Sequence, residues 1–303
     1  MLNYQYILTK KNLFQVTTGF SYFQFEKLLP KFSSALRKAE YQRIPEEKRI
    51  RQVGGGRKSK LVTDKQKLFF ILFYYRHYPT MRLAQVLFEI EISNLCHWAH
   101  FLSGILFEAL GYQLELPEVR VNSLHGLFTV CPALKEFIVD GTERPIRRPK
   151  DSQKQKQYYS GRKRDYTIKN QVVIHPKSKR ILSVSKTVEG KMHDKTLLEE
   201  TGLLTKAPPG SCGLGDSGYE GVRKTSRWLK FVTPLKRKSG RERTEAEKQT
   251  NKSLSSLRVR AEHVIGRLKV NRILTHDFRS NLGFADLVFR NCACLYNFRL
   301  NYS

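Results

Sequence analysis

Three acids sit where chemistry could happen in a chain otherwise crowded with bases. Asp140 closes the apolar run Phe137-Ile138-Val139-Asp140, Asp216 closes Leu214-Gly215-Asp216, and Glu262 follows Ala261 in a stretch of helical periodicity. Carboxylates that converge without His or Cys partners suit hard, oxygen-seeking cations such as Mg²⁺ or Mn²⁺. Two such ions, about 3.5 to 4 Å apart, clamp the attacking and leaving oxygens of an in-line phosphoryl displacement. Taken singly, each acid also has a plainer role: Asp140 and Asp216 as turn formers, and Glu262 as one half of a helical ion pair with Arg258.

The charge around these acids narrows the partner. The 303 residues carry 55 Lys+Arg against 27 Asp+Glu, a formal charge of +28. Self-repulsion of that size points to a polyanion, either nucleic acid or an anionic membrane. No run approaches the roughly 18 consecutive apolar residues of a spanning helix, and Met1 to Val16 lacks the pattern of a secretory leader, so no membrane partner is expected. Five cysteines without CxxC spacing read as reduced thiols. Residues 144–186 hold 14 Lys+Arg and two Asp, a local balance of +12. Here bases interleave with tyrosines, as in a nucleic-acid track, and Arg147, Arg148, Tyr159, Arg162, Lys163 and Arg164 are its candidate contacts. Part of this run is equally readable as a solvated sheet surface protected by Lys. Residues 236–272 add 12 Lys+Arg and four Glu around Glu262, with Arg258 and Lys269 on the adjoining helix face.

The elements that must position these groups follow from periodicity. Ser21 to Leu29 and Phe32 to Lys38 read as two short helices, followed by a basic, glycine-bearing linker from Lys48 to Lys60 in which Arg57 and Lys58 are candidate phosphate contacts. A helix bearing Leu68, Ile71, Leu72 and Tyr75 stops near Pro79. Met81 to Phe88, a break at Glu89 to Ile92, and Ser93 to Leu106 with Ser93 as N-cap then form a helix-turn-helix candidate that exposes Asn94 and His97. An ordinary helical hairpin fits the same pattern, and Glu89 and Glu91 in the turn would repel phosphates. Beyond Pro117 the period shifts toward two. Strands are expected at Leu134–Asp140, Tyr166–His175, Arg180–Thr187, Cys212–Asp216 and Lys230–Pro234, with the second and third paired as a hairpin. Helices are expected from His193-Asp194 to Leu204, with Asp194 as cap, and from Ser253 to Leu274, with Leu254, Leu257, Ala261, Ile265 and Leu268 buried. The domains read as 1–60, 61–116 and 132–303, and the second half as a mixed α/β sheet with helices on its faces.

Five ordered motifs carry a resemblance. They are Val139 to Pro149 (VDGTERPIRRP), Tyr158 to Ile174 (YYSGRKRDYTIKNQVVI), Glu189 to Asp194 (EGKMHD), Gly215 to Gly221 (GDSGYEG) and Asn251 to Leu274. The chain resembles the DDE transposases of bacterial insertion sequences, in the group related to PIF/Harbinger elements. The resemblance implies an RNase H-like fold preceded by an all-α helix-turn-helix region, with Asp140, Asp216 and Glu262 as catalytic and metal-holding residues, spaced 76 and 46 apart. It also implies two Mg²⁺ or Mn²⁺ ions, double-stranded DNA as partner in the form of element terminal repeats and target, a homo-oligomer assembled on DNA, and a cytoplasmic, nucleoid-associated location. His193 and Asp194 match a family motif and are expected to support the site. Two departures stand out: the turn of the helix-turn-helix, and Ala261 where a larger apolar residue is expected. A catalytically inactive DNA-binding descendant remains the alternative, though it would be expected to have lost acids that are all present here. An RNA-binding protein would leave those acids unexplained.

Overall fold

The structure is a computed structural model, and it describes residues 4–42, 59–111, 135–207, 210–222, 229–236 and 242–302. The chain divides into two compact units: Met1–Gln113 with Val270–His276 and Arg290–Ser303, and Leu114–Lys269 with Asp277–Phe289.

The first unit is helical, with α1 (Tyr4–Thr9), α2 (Lys11–Thr18), α3 (Tyr22–Gln42), α4 (Asp64–His77), α5 (Met81–Phe88) and α6 (Ile92–Leu110). Where two short helices were expected, α3 runs unbroken through Pro30. Phe25, Leu28, Phe32 and Leu36 form one buried stripe across the proline, and their burial outweighs the single backbone hydrogen bond that Pro30 removes. At the start of α4 a capping box operates, in which the Thr63 side chain accepts from the Gln66 backbone while the Gln66 side chain accepts from Thr63. α5 starts on Thr80 and stops at Glu89, whose φ of 54° places it in the left-handed region. That reversal leaves two residues before α6, making a helix-turn-helix. Ser93 does not cap α6, contrary to expectation. The helix starts at Ile92, Glu91 takes the cap position without a side-chain cap bond, and Gln85 donates to the Glu91 carboxylate at 3.0 Å. Inside the unit, the Tyr75 hydroxyl donates to Ser103 Oγ at 2.8 Å, and Asn291 Nδ2 donates to Tyr75 Oη at 3.0 Å and to the Ser103 carbonyl at 2.8 Å. Such satisfied buried bonds fix one register for the helices that carry them.

The second unit is built on β1 (Glu136–Pro145). β3 (Asp165–Ile174) pairs antiparallel with it, Ile138 opposite Ile174 and Arg144 opposite Ile168. The outer edge of β3 takes β2 (Tyr159–Ser160), β4 (Ile181–Val184) and β5 (Val188–Glu189), so the expected hairpin is present. Across β1, β6 (Cys212–Leu214) runs parallel with Ile138 opposite Leu214, and β7 (Lys230–Val232) runs parallel to β6. The order β2-β3-β1-β6-β7 joins antiparallel strands on one side of β1 to parallel crossovers on the other, the mixed sheet of the RNase H-like class. Between the strands lie α7 (Ser152–Tyr158), α8 (Asp194–Glu200) and α9 (Leu203–Lys206), and after β7 come α10 (Glu245–Leu268) and α11 (Leu282–Asn301).

Alternation along β1 decides what faces what. Phe137 and Val139 pack with Leu198, Leu203 and Leu204 of α8 and α9, so Ile138, Asp140 and Thr142 point to the opposite face. α10 packs against β1 through Ala261, Val264, Ile265 and Leu268. It begins earlier than expected, at a capping box formed by Thr244 and Glu247, and ends at Leu268, with Arg272–Leu274 a separate 3₁₀ turn. Leu257, expected in the buried stripe, is 38% exposed.

Candidate active site

Sheet register brings the first two acids together. Ile138 pairs with Leu214 in the parallel β1–β6 ladder, and continuing that register by two residues sets Asp140 level with Asp216. Asp140 Oδ1 accepts from the Gly141 amide at 2.9 Å, and Asp216 Oδ1 caps the 3₁₀ turn Ser217–Tyr219 by accepting from Gly218 N at 2.8 Å. Burial pushes the Asp140 carboxyl up from 3.8 to about 6; Arg258 opposes this, while the nearby charges of Asp216 and Glu262 reinforce it. Asp140 therefore feels the charges of both other acids, and that of Arg258 besides. Glu262 itself is exposed on α10 and pairs with Arg258, one helical turn before it, at 3.9 Å.

A fourth acid lies between the first two. His193, not Asp194, caps α8, its Nδ1 accepting from Lys195 N at 3.3 Å. Asp194, expected as the cap, is released to point inward, where Lys169 Nζ reaches its Oδ1 at 2.9 Å. A Cβ added to Gly141 would lie 3.1 Å from Asp194 Oδ1, and one added to Gly218 would lie 2.9 Å from Asp216 Oδ1 and 3.3 Å from Asp194 Oδ2. Glycine at both positions is what lets the Asp194 carboxylate sit against the strand that carries Asp140 and the turn that carries Asp216.

Lys169 is a lysine in the middle of buried β3, with its side chain 9% exposed. It also donates to the Met192 carbonyl at 2.7 Å and lies 3.9 Å from Glu143 Oε1, whose other oxygen accepts from Thr167 Oγ1 at 2.7 Å. Next along the same face, Gln171 Nε2 donates to the Tyr219 hydroxyl at 2.8 Å and to the Asp194 carbonyl at 3.2 Å. The Tyr219 hydroxyl is held well above its ordinary value by burial, then by Asp194 and Asp140. Sequence reading missed Lys169, Gln171, Glu143 and Tyr219 as members of this network. The available signal was a lysine inside an expected strand, between Ile168 and Asn170, where a solvated charge has no place.

The basic candidates divide. Arg147, Arg148, Arg162, Lys163 and Arg164 are exposed, and Arg148 donates to Gln155 Oε1 at 3.0 Å and lies 5.9 Å over the Tyr166 ring. Tyr159 is exposed and meets Tyr166 edge-on at 5.7 Å. Lys269 is partly buried, and burial first and Lys163 second lower its ammonium, while Glu143 and Asp140 act the other way. Asn94 and His97 are exposed on α6, and His97 stacks on Phe101 at 5.9 Å. Arg57 and Lys58 lie outside the described residues. Arg144, the first base of the +12 run, belongs to the core and not to a surface track. It is 1% exposed, donates to Asn170 Oδ1 at 2.7 Å and to the Ala285 carbonyl at 3.2 Å, and lies between the rings of Phe278 and Phe289.

An all-oxygen donor set whose central acid is pushed up by burial and by like charges suits a hard divalent cation, which would take the place of the proton. Among the described residues, however, no three His, Cys, Asp or Glu side chains are grouped closely enough to hold a metal ion. No helix among them is long and apolar enough to cross a membrane, and Cys96, Cys212, Cys292 and Cys294 are free thiols.

A family model described as "DDE superfamily endonuclease" matches residues 139–297, and one described as "Helix-turn-helix of DDE superfamily endonuclease" matches residues 59–111. The chain is 29% identical over 250 residues to a protein of Microchaete diplosiphon described as "Probable transposase for insertion sequence element IS702", covering 81% of this chain and 83% of that one. It is 31% identical over 140 residues to a Streptomyces albus G protein described as "Putative transposase for insertion sequence element IS112", covering 46% of this chain and 49% of the relative. No solved structure matches.

Proposed function

The chain belongs to the DDE superfamily endonucleases, as a transposase of insertion sequences with an N-terminal helix-turn-helix, and we propose that Asp140, Asp216 and Glu262 form its catalytic triad for DNA cleavage and strand transfer. The observation that carries this reading is the parallel β1–β6 register, which sets Asp140 level with Asp216 under a helix that brings Glu262 within electrostatic reach. Asp140 and Asp216 would hold Mg²⁺ or Mn²⁺, two ions in the full site, with Glu262 completing the donor set. A bound divalent ion supplies charge neutralisation at the scissile phosphate and stabilises the developing charge on the entering and leaving oxygens.

This chain's own groups do the rest. Arg258 holds Glu262 at the site's edge by an ion pair that phosphate can compete for. Lys169 fixes Asp194 beside β1 and the turn that follows Asp216, and His193 supports it by capping α8. Water attacks phosphorus and the 3′ oxygen leaves as a hydroxyl. That hydroxyl then attacks a target phosphodiester and displaces its 3′ oxygen, with no covalent protein intermediate. Arg147, Arg148, Arg162, Lys163, Arg164 and Lys269 hold phosphates, as would Arg57 and Lys58, and Tyr159 offers a ring to an unpaired base. Asn94 and His97 at the start of α6 contact base edges of the element's terminal repeats. The protein assembles on paired ends as a homo-oligomer.

The test is to incubate the protein with its element end and flanking DNA in Mg²⁺ or Mn²⁺, and again in chelator. The expected result is a gel shift that survives chelation and a nick that does not. A gel shift with no nick under any metal would leave the inactive DNA-binding descendant as the better reading.

A further inference from the structure

A cavity of about 530 Å³ opens inside the second unit, within the size range of ligand pockets. It lies next to the end of β1, six residues beyond Asp140, or roughly 20 Å at strand rise. Arg147, Lys154 and Arg279 line it, with Tyr158, Phe278 and Leu282 supplying an apolar wall and floor; none of the described residues lining it is acidic. α7, which contributes Lys154 and Tyr158, buries none of its residues. It is held by the Asp151 cap on Lys154 N at 2.8 Å and by Gln155 Nε2 on the Pro149 carbonyl at 2.8 Å. The helix thus stands beside a space that its own side chains do not fill.

Three cations around an apolar, ring-bearing recess match one ligand chemistry: a flat aromatic base joined to a phosphate. We propose that this cavity receives an unpaired nucleotide of the bound DNA, with the base against Tyr158 and Phe278 and its phosphates on Arg147 and Lys154. The proposal rests on DNA as the substrate. It adds a second, metal-independent site at which the strand is held out of its stack, at the cost of unpairing that the recess must offset.

The probe is a 25-base-pair duplex carrying one unpaired 5-iododeoxyuridine, compared in chelator with its fully paired counterpart. The expected result is a preference for the unpaired duplex of at least about fivefold, the lower end of what one base–aromatic stack supplies, with photo-crosslinks to the peptides that carry Tyr158 or Phe278. Ser280→Trp, which fills the recess, should bring the ratio to about one and remove the crosslink. Arg147→Ala/Lys154→Ala, at exposed positions that do not threaten folding, should lower the ratio severalfold. Equal affinity of wild type for both duplexes, or a preference that survives Ser280→Trp, overturns the pocket while leaving DNA as substrate. Binding to neither duplex overturns the reading beneath it. Loss of the crosslink on adding deoxyadenosine monophosphate, with the duplex still bound, would make this a site for a free nucleotide and overturn the proposal.

Discussion

Asp140→Asn probes the electrostatics of the site without touching its shape. The carboxyl of Asp140 rises from 3.8 to about 6 in the folded chain, a difference of about two pH units, or about 3 kcal/mol at ~1.4 kcal/mol per unit. The folded value lies above the unfolded one, so the folded chain holds the extra proton between about pH 4 and pH 6, and stability falls as pH rises through that window. Asparagine keeps the oxygen that accepts from Gly141 N and removes the charge. Metal-free Asp140→Asn should therefore be more stable than wild type at pH 7, by up to about 3 kcal/mol, and nearly equal to it at pH 4. Part of that gain reflects relief of Asp216 and Glu262, so it should shrink in an Asp216→Asn background. Urea unfolding of both proteins in chelator at the two pH values reads the difference directly. Millimolar Mg²⁺ should raise wild type and leave the variant unchanged. A variant less stable than wild type at pH 7, or gaining equally at both pH values, would refute the burial and like-charge argument.

Lys169→Met should destabilise the protein by roughly 3–5 kcal/mol, because it leaves Asp194 charged and unpaired; adding Asp194→Asn should recover much of that loss in the same unfolding assay. Gly218→Ala forces a methyl to within 2.9 Å of Asp216 Oδ1, and cleavage should fall by about 100-fold, since catalytic carboxylates tolerate little displacement, while circular dichroism stays native. Removing Arg162, Lys163 and Arg164 together should reduce the slope of log K against log salt for duplex binding by about 3, at ~0.9 for each lost phosphate contact.

The sheet was readable because its strands are apolar runs beside acids, but β1 does not stop at Asp140 as expected: its ladder with β3 carries on to Pro145, so Asp140 lies inside the strand and only Asp216 follows a strand end. The buried side of the site was not readable. Lys169 and Arg144 look like surface bases in a +12 run, and only the packed fold shows that one is tied to Asp194 and the other enclosed by Phe278 and Phe289. At His193-Asp194 either residue can cap a helix, and which one does depends on the Lys169 ammonium that draws Asp194 inward, a contact 25 residues away in sequence. α11 was not legible because Asn291 to Phe298 are all buried, two asparagines among them, and a helix buried on every side has no single apolar face for periodicity to reveal. α7, Ser152–Tyr158, shows the opposite difficulty, since its polar sequence buries no residue and offers no face at all.

The central claim is that Asp140, Asp216 and Glu262 together carry phosphoryl transfer, and single-turnover cleavage of an end-labelled element terminus in Mg²⁺ tests it most directly. Wild type should release a 3′-hydroxyl at the element boundary, and Asp140→Asn, Asp216→Asn and Glu262→Gln should each lower that rate by at least about 1,000-fold while still shifting the DNA, as expected when one member of a cooperating catalytic group is lost. Cleavage that persists near the wild-type rate in any one of the three would contradict the assignment.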